Sequence, residues 1–194
     1  FAWAITQKMG HRPGRSHFPG AFPCFEGECR GDQKEVKKKC MRSFNSTGSV
    51  LVSCFPGWGK TFLAINLASS IKLKTIIFVN KIVLMKQWEN SIRRFVKDAK
   101  VAQISTLSAK ASQRAQQKCL SRFGFVVVDE CHQLVSACLS RALLQVHPRY
   151  LLGLSATPYR KDGLDKLIAL YFGKNKSTKK LFKLHHVHVV ETGF

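Results

Sequence analysis

Ser53-Cys54-Phe55-Pro56-Gly57-Trp58-Gly59-Lys60-Thr61 stands between an apolar, β-prone run at 50–55 and a helical pattern at 61–71. In that pattern Phe62, Leu63, Ile65, Leu67, Ala68 and Ile71 recur at helical intervals. Gly57 and Gly59 let the backbone turn sharply and approach a ligand closely. Strand, glycine turn and helix, in that order, aim consecutive backbone N–H groups at one point, and such a nest at a helix N-terminus binds phosphate. Lys60 follows where its ammonium can reach the β- and γ-phosphates of a nucleoside triphosphate, and the Thr61 hydroxyl where it can bind Mg2+. A chance glycine-rich turn is the plainer alternative, but it does not require the flanking strand and helix. Cys54 occupies the first glycine position of the full motif, and Pro56 has no N–H to offer beside the cradle. Trp58 is expected to be an exposed loop aromatic.

Phe125-Val126-Val127-Val128-Asp129-Glu130-Cys131-His132 is the second informative stretch. Its four apolar residues leave no polar face, as expected of a central parallel strand. Asp129 and Glu130 then fall at the C-terminal end of that strand, where open α/β sheets bind ligands. Asp129 is suited to hold Mg2+ through water, and Glu130 to orient and deprotonate an attacking water. A solvated pair of acids is the simpler reading. It is weakened because the chain has only 11 Asp+Glu and two stand together after an apolar strand. A third apolar strand, Tyr150-Leu151-Leu152-Gly153-Leu154, ends in Ser155-Ala156-Thr157-Pro158.

With these three stretches in order, the chain resembles a superfamily 2 helicase. Gly57-Trp58-Gly59-Lys60-Thr61 resembles motif I, Asp129-Glu130-Cys131-His132 motif II of the DECH type, and Ser155-Ala156-Thr157 motif III. Phe78-Val79-Asn80-Lys81-Ile82-Val83-Leu84-Met85-Lys86-Gln87-Trp88 resembles the motif Ia region. Residues 153–164 are similar to the segment after motif III in XPB-like helicases, and the DECH helicases of large DNA viruses, iridoviruses in particular, look most alike. The likeness covers about residues 18–194. It implies a RecA-like P-loop NTPase fold, a mostly parallel α/β sheet with helices on both faces. It also implies ATP and Mg2+ as cofactors and nucleic acid as partner, DNA ahead of RNA. By the same resemblance Pro56, Gly57, Trp58, Gly59 and His132 belong to the nucleotide site, and Ser155, Ala156 and Thr157 to a coupling motif.

Arg30-Gly31-Asp32-Gln33 resembles the Arg-Pro-x-Gln segment of such proteins, in which the Gln reads the adenine edge; here glycine replaces the proline. From the residues alone, Asp32 is a good N-cap, Val36, Cys40 and Phe44 form an apolar stripe, and Gln33 can equally be a solvated first-turn residue.

Composition supports one domain with a substantial core: 194 residues, 45% hydrophobic. The 32 Lys+Arg against 11 Asp+Glu leave a formal charge of +21. Residues 60–122 carry thirteen of the bases and two of the acids, an excess suited to a polyanion backbone. A solvated basic face is the alternative. Seven scattered cysteines, without a CxxC pair, argue against zinc and for a reducing compartment. An intracellular location is expected, host cytoplasm or nucleus for a viral protein, with no secretion signal and no membrane span. His185-His186-Val187-His188 reads as a strand bearing solvated imidazoles rather than a metal site.

The expected organisation is a loosely packed lead-in at 1–30, the ATP-binding domain at 31–172, and a basic linker plus strand at 173–194. Expected strands are 50–55, 75–80, 101–106, 123–129, 150–155 and 185–191, with helices at 61–71, 82–96 and 164–172. The helix at 82–96 carries Leu84, Trp88, Ile92 and Phe95 on one face. The resemblance further implies a second RecA-like domain outside residues 1–194, supplying an arginine finger, and a longer stretch between Val96 and Val101 than is present. Turnover by this chain alone is therefore expected to be poor. A catalytically silent nucleic-acid-binding fragment is the alternative function.

Overall fold

The four inner strands of the central sheet are apolar along nearly their whole length, because both of their faces are covered. The computed structural model describes residues 12–21, 24–97, 104–108, 120–133, 146–156 and 165–179. In chain order these hold β1 (Cys24–Phe25), α1 (Gly31–Ser46), β2 (Ser49–Cys54), α2 (Lys60–Ile71), β3 (Thr75–Val79) and α3 (Ile82–Phe95). They continue with β4 (Val96–Lys97), β5 (Ile104–Ser108), β6 (Phe125–Val128), β7 (Tyr150–Ser155), α4 (Asp165–Phe172) and β8 (Lys176–Lys179). One six-stranded sheet runs in the order β5-β3-β6-β7-β2-β8, and every neighbouring pair is parallel. β1 and β4 form a separate antiparallel pair.

Successive strand residues point to opposite faces. On one face Val50, Val52, Ile77, Val79, Phe125, Val127, Leu152 and Leu154 join Val36, Phe44, Leu63, Leu67 and Trp88 from α1, α2 and α3. On the other, Leu51, Ile76, Phe78, Val126, Val128 and Leu151 join Ile168, Tyr171 and Phe172 of α4. Each such side chain contributes about 1.5–3 kcal/mol on full burial. The expected α/β architecture, a parallel sheet with helices on both faces, is therefore what the chain adopts. The strand expected at 101–106 lies at Ile104–Ser108, in the register set by its pairing with β3.

Gly153 marks the tightest contact on the α4 face. A Cβ there would stand 2.9 Å from Cδ1 and Cε1 of Phe172. Gly153→Ala is expected to overpack this contact by about 1–3 kcal/mol. A chain of this size should then melt about 2–12 °C lower by circular dichroism; an unchanged midpoint would mean that α4 yields freely.

Two expectations about the flanks are corrected. The described part of the lead-in is packed, not loose: Phe18 and Ala21 are buried, and Gly20 bridges Leu73. The last carbonyls of a helix lack intrahelical donors. Arg12 supplies one to Phe44 O at 2.6 Å near the end of α1, and Arg15 one to Ile71 O at 2.8 Å at the end of α2. The basic linker also contains structure, because Lys176–Lys179 forms edge strand β8 beside β2. Its Lys-Ser-Thr-Lys spelling carries no apolar pattern, and lysines suit the edge that β8 forms among the described strands. Lys179 Nζ lies 2.8 Å from Glu35 of α1, which also pairs with Lys39 at 2.8 Å. Hydrogen bonds from these two ammonium groups hold the exposed Glu35 carboxyl down at about 2.

Candidate functional site

All six strands of the sheet point the same way, so their C-terminal ends share one edge. β2 ends at Cys54 and feeds the glycine loop; β6 ends at Val128 and feeds Asp129; β7 lies between them and ends at Ser155, opposite Ser53. Adjacent strands sit roughly 4.8 Å apart, which sets the loop and the acid pair about 10 Å apart.

The loop owes its shape to its glycines. Gly57 and Gly59 have φ of 77° and 101°, in the left-handed region that glycine tolerates best. A Cβ on Gly59 would lie 2.7 Å from Gln33 Nε2, so this residue also lets α1 approach. Pro56 and Gly57 are exposed on the loop, and α2 starts at Lys60 with Thr61 in its first turn. The Lys60 ammonium is folded over the loop, donating to Cys54 O at 2.8 Å and to Phe55 O at 3.4 Å.

Trp58 is not the exposed aromatic expected. It is 1% exposed and sits in the core cluster beneath the loop. A buried indole needs an acceptor for its N–H, and Trp58 Nε1 donates to Asp32 Oδ2 at 2.5 Å. This also corrects the role of Asp32. The N-cap of α1 is Arg30, and its N–H donates to Gln33 Oε1 at 3.0 Å, one half of a capping box. Arg30 Nη2 and Gln33 Nε2 both donate to Trp58 O, at 2.6 and 3.1 Å. The start of α1 thus grips the phosphate loop through Arg30, Asp32 and Gln33. Gln33 is buried rather than solvated; its amide retains one N–H and one lone pair beyond these bonds.

At the other end of the site, Asp129 N–H donates to Phe78 O at 2.9 Å, continuing the β3–β6 pairing past the strand. Asp129 Oδ2 accepts from Trp88 Nε1 at 2.7 Å, and Oδ1 from Glu130 N–H at 3.0 Å. Burial pushes the Asp129 carboxyl above the usual carboxylate range, against those two hydrogen bonds and the positive charge of Lys60. Glu130 has φ 47°, uncommon for a residue with a side chain. Its Oε2 is buried and, among the described residues, has no hydrogen-bond donor, although His132 Nδ1 lies 3.3 Å away at ion-pair distance. His132 Nδ1 is 3.0 Å from Ser155 Oγ, linking the end of β6 to the end of β7. Ala156 follows β7, and Thr157 lies outside the described residues. So does the strand expected at 185–191 with its histidines.

The donor set fits Mg2+ and ATP. A hydroxyl and a carboxylate are the hard oxygen ligands Mg2+ takes. Lys60 and the glycine loop supply cationic and N–H donors for phosphate, and the orphaned Glu130 oxygen is an acceptor suited to a water. Burial pushes the thiols of Cys40 and Cys54 up, to about 12 and about 11, so both behave as small core residues and not as nucleophiles. Two contributors escaped the sequence reading. Trp88 was assigned to the apolar face of its helix, and Arg30 only to a resemblance. The available signal was chemical: a buried tryptophan must place its N–H, and an arginine can reach a loop carbonyl.

A parallel sheet that presents a glycine loop after one strand and an acid pair after another defines a RecA-like, P-loop nucleotide-binding domain. The chain belongs to the family described as the type III restriction enzyme res subunit, whose pattern matches residues 26–102 and 96–160. It is 38% identical over 200 residues to a protein named as helicase 161L of Invertebrate iridescent virus 6, covering 94% of this chain and 45% of the relative. It is 36% identical over 202 residues to one named as helicase 109L of Invertebrate iridescent virus 3, covering 94% of this chain and 61% of that one. The chain thus spans about half the length of these curated relatives. Among solved structures, the fold is similar to the UvsW helicase of bacteriophage T4, with TM-score 0.66, 14% identity, and 84% of this chain and 64% of that one covered. It is also similar to the Sulfolobus solfataricus SWI2/SNF2 ATPase core in complex with dsDNA, with TM-score 0.61, 16% identity, and 79% and 36% covered. Fold, family and relatives together make this a helicase-type ATP-binding domain.

Proposed function

We propose that the chain binds ATP·Mg2+ as the first RecA-like domain of a DECH-type, XPB-like superfamily 2 helicase, and that the whole protein couples hydrolysis to movement on nucleic acid. The observation that carries this is the shared strand edge, on which Lys60, the Asp129–Glu130 pair and the His132–Ser155 contact stand together. Lys60 turns from the loop carbonyls to the β- and γ-phosphates. Thr61 and Asp129 would hold Mg2+, which when bound would supply positive charge against the phosphates. Glu130 orients the attacking water and accepts its proton through the buried Oε2. Gln33 offers its remaining amide N–H and lone pair to the adenine edge. His132 and Ser155 tie the acid strand to the neighbouring strand, so a shift in one is felt by the other.

Helix α3 is the best candidate for nucleic-acid contact. Lys81, Lys86, Arg93 and Arg94 are exposed on and before it, and Ile82 and Val83 at its start are 62% and 66% exposed. DNA is favoured over RNA as the partner. The test is a titration of a fluorescent ATP analogue with Mg2+, followed by anisotropy with single-stranded DNA and RNA at two salt concentrations. Nucleotide binding is expected, with single-strand affinity falling about 10²–10⁴-fold between 50 and 200 mM salt if 6–10 phosphates are engaged. A chain that binds no nucleotide overturns the proposal. Nucleic-acid binding without any phosphate release, in the presence of ATP, favours a silent binding fragment instead.

A further inference from the structure

We infer that Trp88 is a positioning residue for the Asp129 carboxylate: its indole N–H holds that group in the orientation that receives Mg2+. The inference rests on the nucleotide-site reading above. Trp88 lies in the middle of α3, 2% exposed, within the core cluster on that face of the sheet. Its Nε1 donates to Asp129 Oδ2 at 2.7 Å, from a helix that follows β3 and not from the acid's own strand. The other oxygen, Oδ1, accepts the Glu130 N–H at 3.0 Å. The Asp129 backbone is fixed as well, through its N–H bond to Phe78 O at 2.9 Å.

The two donors act on different oxygens from different directions. A carboxylate with one donor can swing about its Cβ–Cγ bond and keep that bond. With a second donor fixed in the core, rotation breaks one of the two. Each oxygen still has a lone pair to offer, since an ionised carboxylate accepts at about four positions. Trp88 therefore restricts the plane of the group without occupying it. Pure packing would ask only for the bulk of the ring. Here the N–H is directed at Asp129, the acid that directly follows β6 and to which the nucleotide-site reading gives the ligand role. Donors behind a metal-binding group commonly matter about 10–100-fold in metal affinity. Helix α3, whose outer face bears the exposed bases, thereby touches the metal side of the site through one side chain.

The test compares the affinity of a fluorescent ADP analogue in Mg2+ and in EDTA. It uses the wild-type chain, Trp88→Phe, and the chain with benzothienylalanine at position 88, which keeps the ring volume and deletes only the N–H. Both substitutions are expected to leave the affinity in EDTA unchanged and to reduce the gain conferred by Mg2+ about 10–100-fold. In an Asp129→Asn background, which has no carboxylate to orient, Trp88→Phe is expected to change nothing further, since residues acting through one contact are not additive. Full Mg2+ gain in the benzothienylalanine protein overturns the inference. So does an equal loss of affinity in EDTA, which would mark a purely structural role. A wild-type chain that binds the analogue with no Mg2+ gain overturns the nucleotide-site reading itself, and this inference with it.

Discussion

Glu130→Gln is expected to bind ATP as the wild-type chain does and to release phosphate about 10²–10⁴-fold more slowly. The side chain keeps its shape, and the left-handed turn at φ 47° is a backbone feature that an amide does not alter. What changes is the Oε2 position, buried, without a hydrogen-bond donor among the described residues and 3.3 Å from His132 Nδ1. A carboxylate oxygen held there can accept the proton of an attacking water; an amide cannot. Nucleotide affinity depends chiefly on the loop after β2, on a different strand, and should be preserved. The measurement is phosphate release at saturating ATP and Mg2+ with nucleic acid present, on wild-type and variant proteins that both carry a second RecA-like domain, since turnover by residues 1–194 alone is expected to be poor. A variant that keeps the wild-type rate would remove Glu130 as the base.

Lys60→Ala is expected to lower ATP affinity at least about 100-fold, with and without Mg2+. The lost interaction is a charged donor to phosphate, worth roughly 1.5–3 kcal/mol per bond, and the ammonium can reach two phosphate groups. The substitution also removes the brace that Lys60 Nζ forms with Cys54 O and Phe55 O across the loop. Helix α2 should persist, because alanine is the best helix former. Loss in EDTA as well as in Mg2+ separates this variant from a change on the Asp129 side of the site. Titration of the fluorescent analogue decides it, and unchanged affinity would show that the loop does not hold the phosphates.

Much of the fold could be read along the chain. The runs at β2, β3, β6 and β7 are recognisable because strands covered on both faces are apolar except near their ends, at Ser49, Ser53, Thr75 and Ser155. α2 and α3 declared themselves through their apolar spacing, and the glycine loop through its position between strand and helix. β8 could not be found this way: Lys176–Lys179 has no apolar alternation, and its placement comes from backbone pairing with β2. β1 and β4, two residues each, are too short to carry any period. The lead-in was misjudged because its anchors are arginines bonding to helix-end carbonyls, which composition cannot reveal.

The same division runs through the site. Lys60, Thr61, Asp129 and Glu130 can be proposed from the sequence because each sits within a few residues of the strand end that presents it. Local order in the chain therefore carries their identity and their chemistry. Their partners come from far along the chain. Trp58 reaches back 26 residues to Asp32, Trp88 lies 41 residues before Asp129, and His132 meets Ser155 across 23 residues. Such pairings depend on which strand lies beside which and on where a buried N–H can find an acceptor. β7 had to lie between β2 and β6 before the Ser155 hydroxyl could meet the His132 ring, and α3 had to pack beside β3 before the Trp88 indole could meet Asp129. Those are properties of strand order and burial, and only the folded sheet decides them.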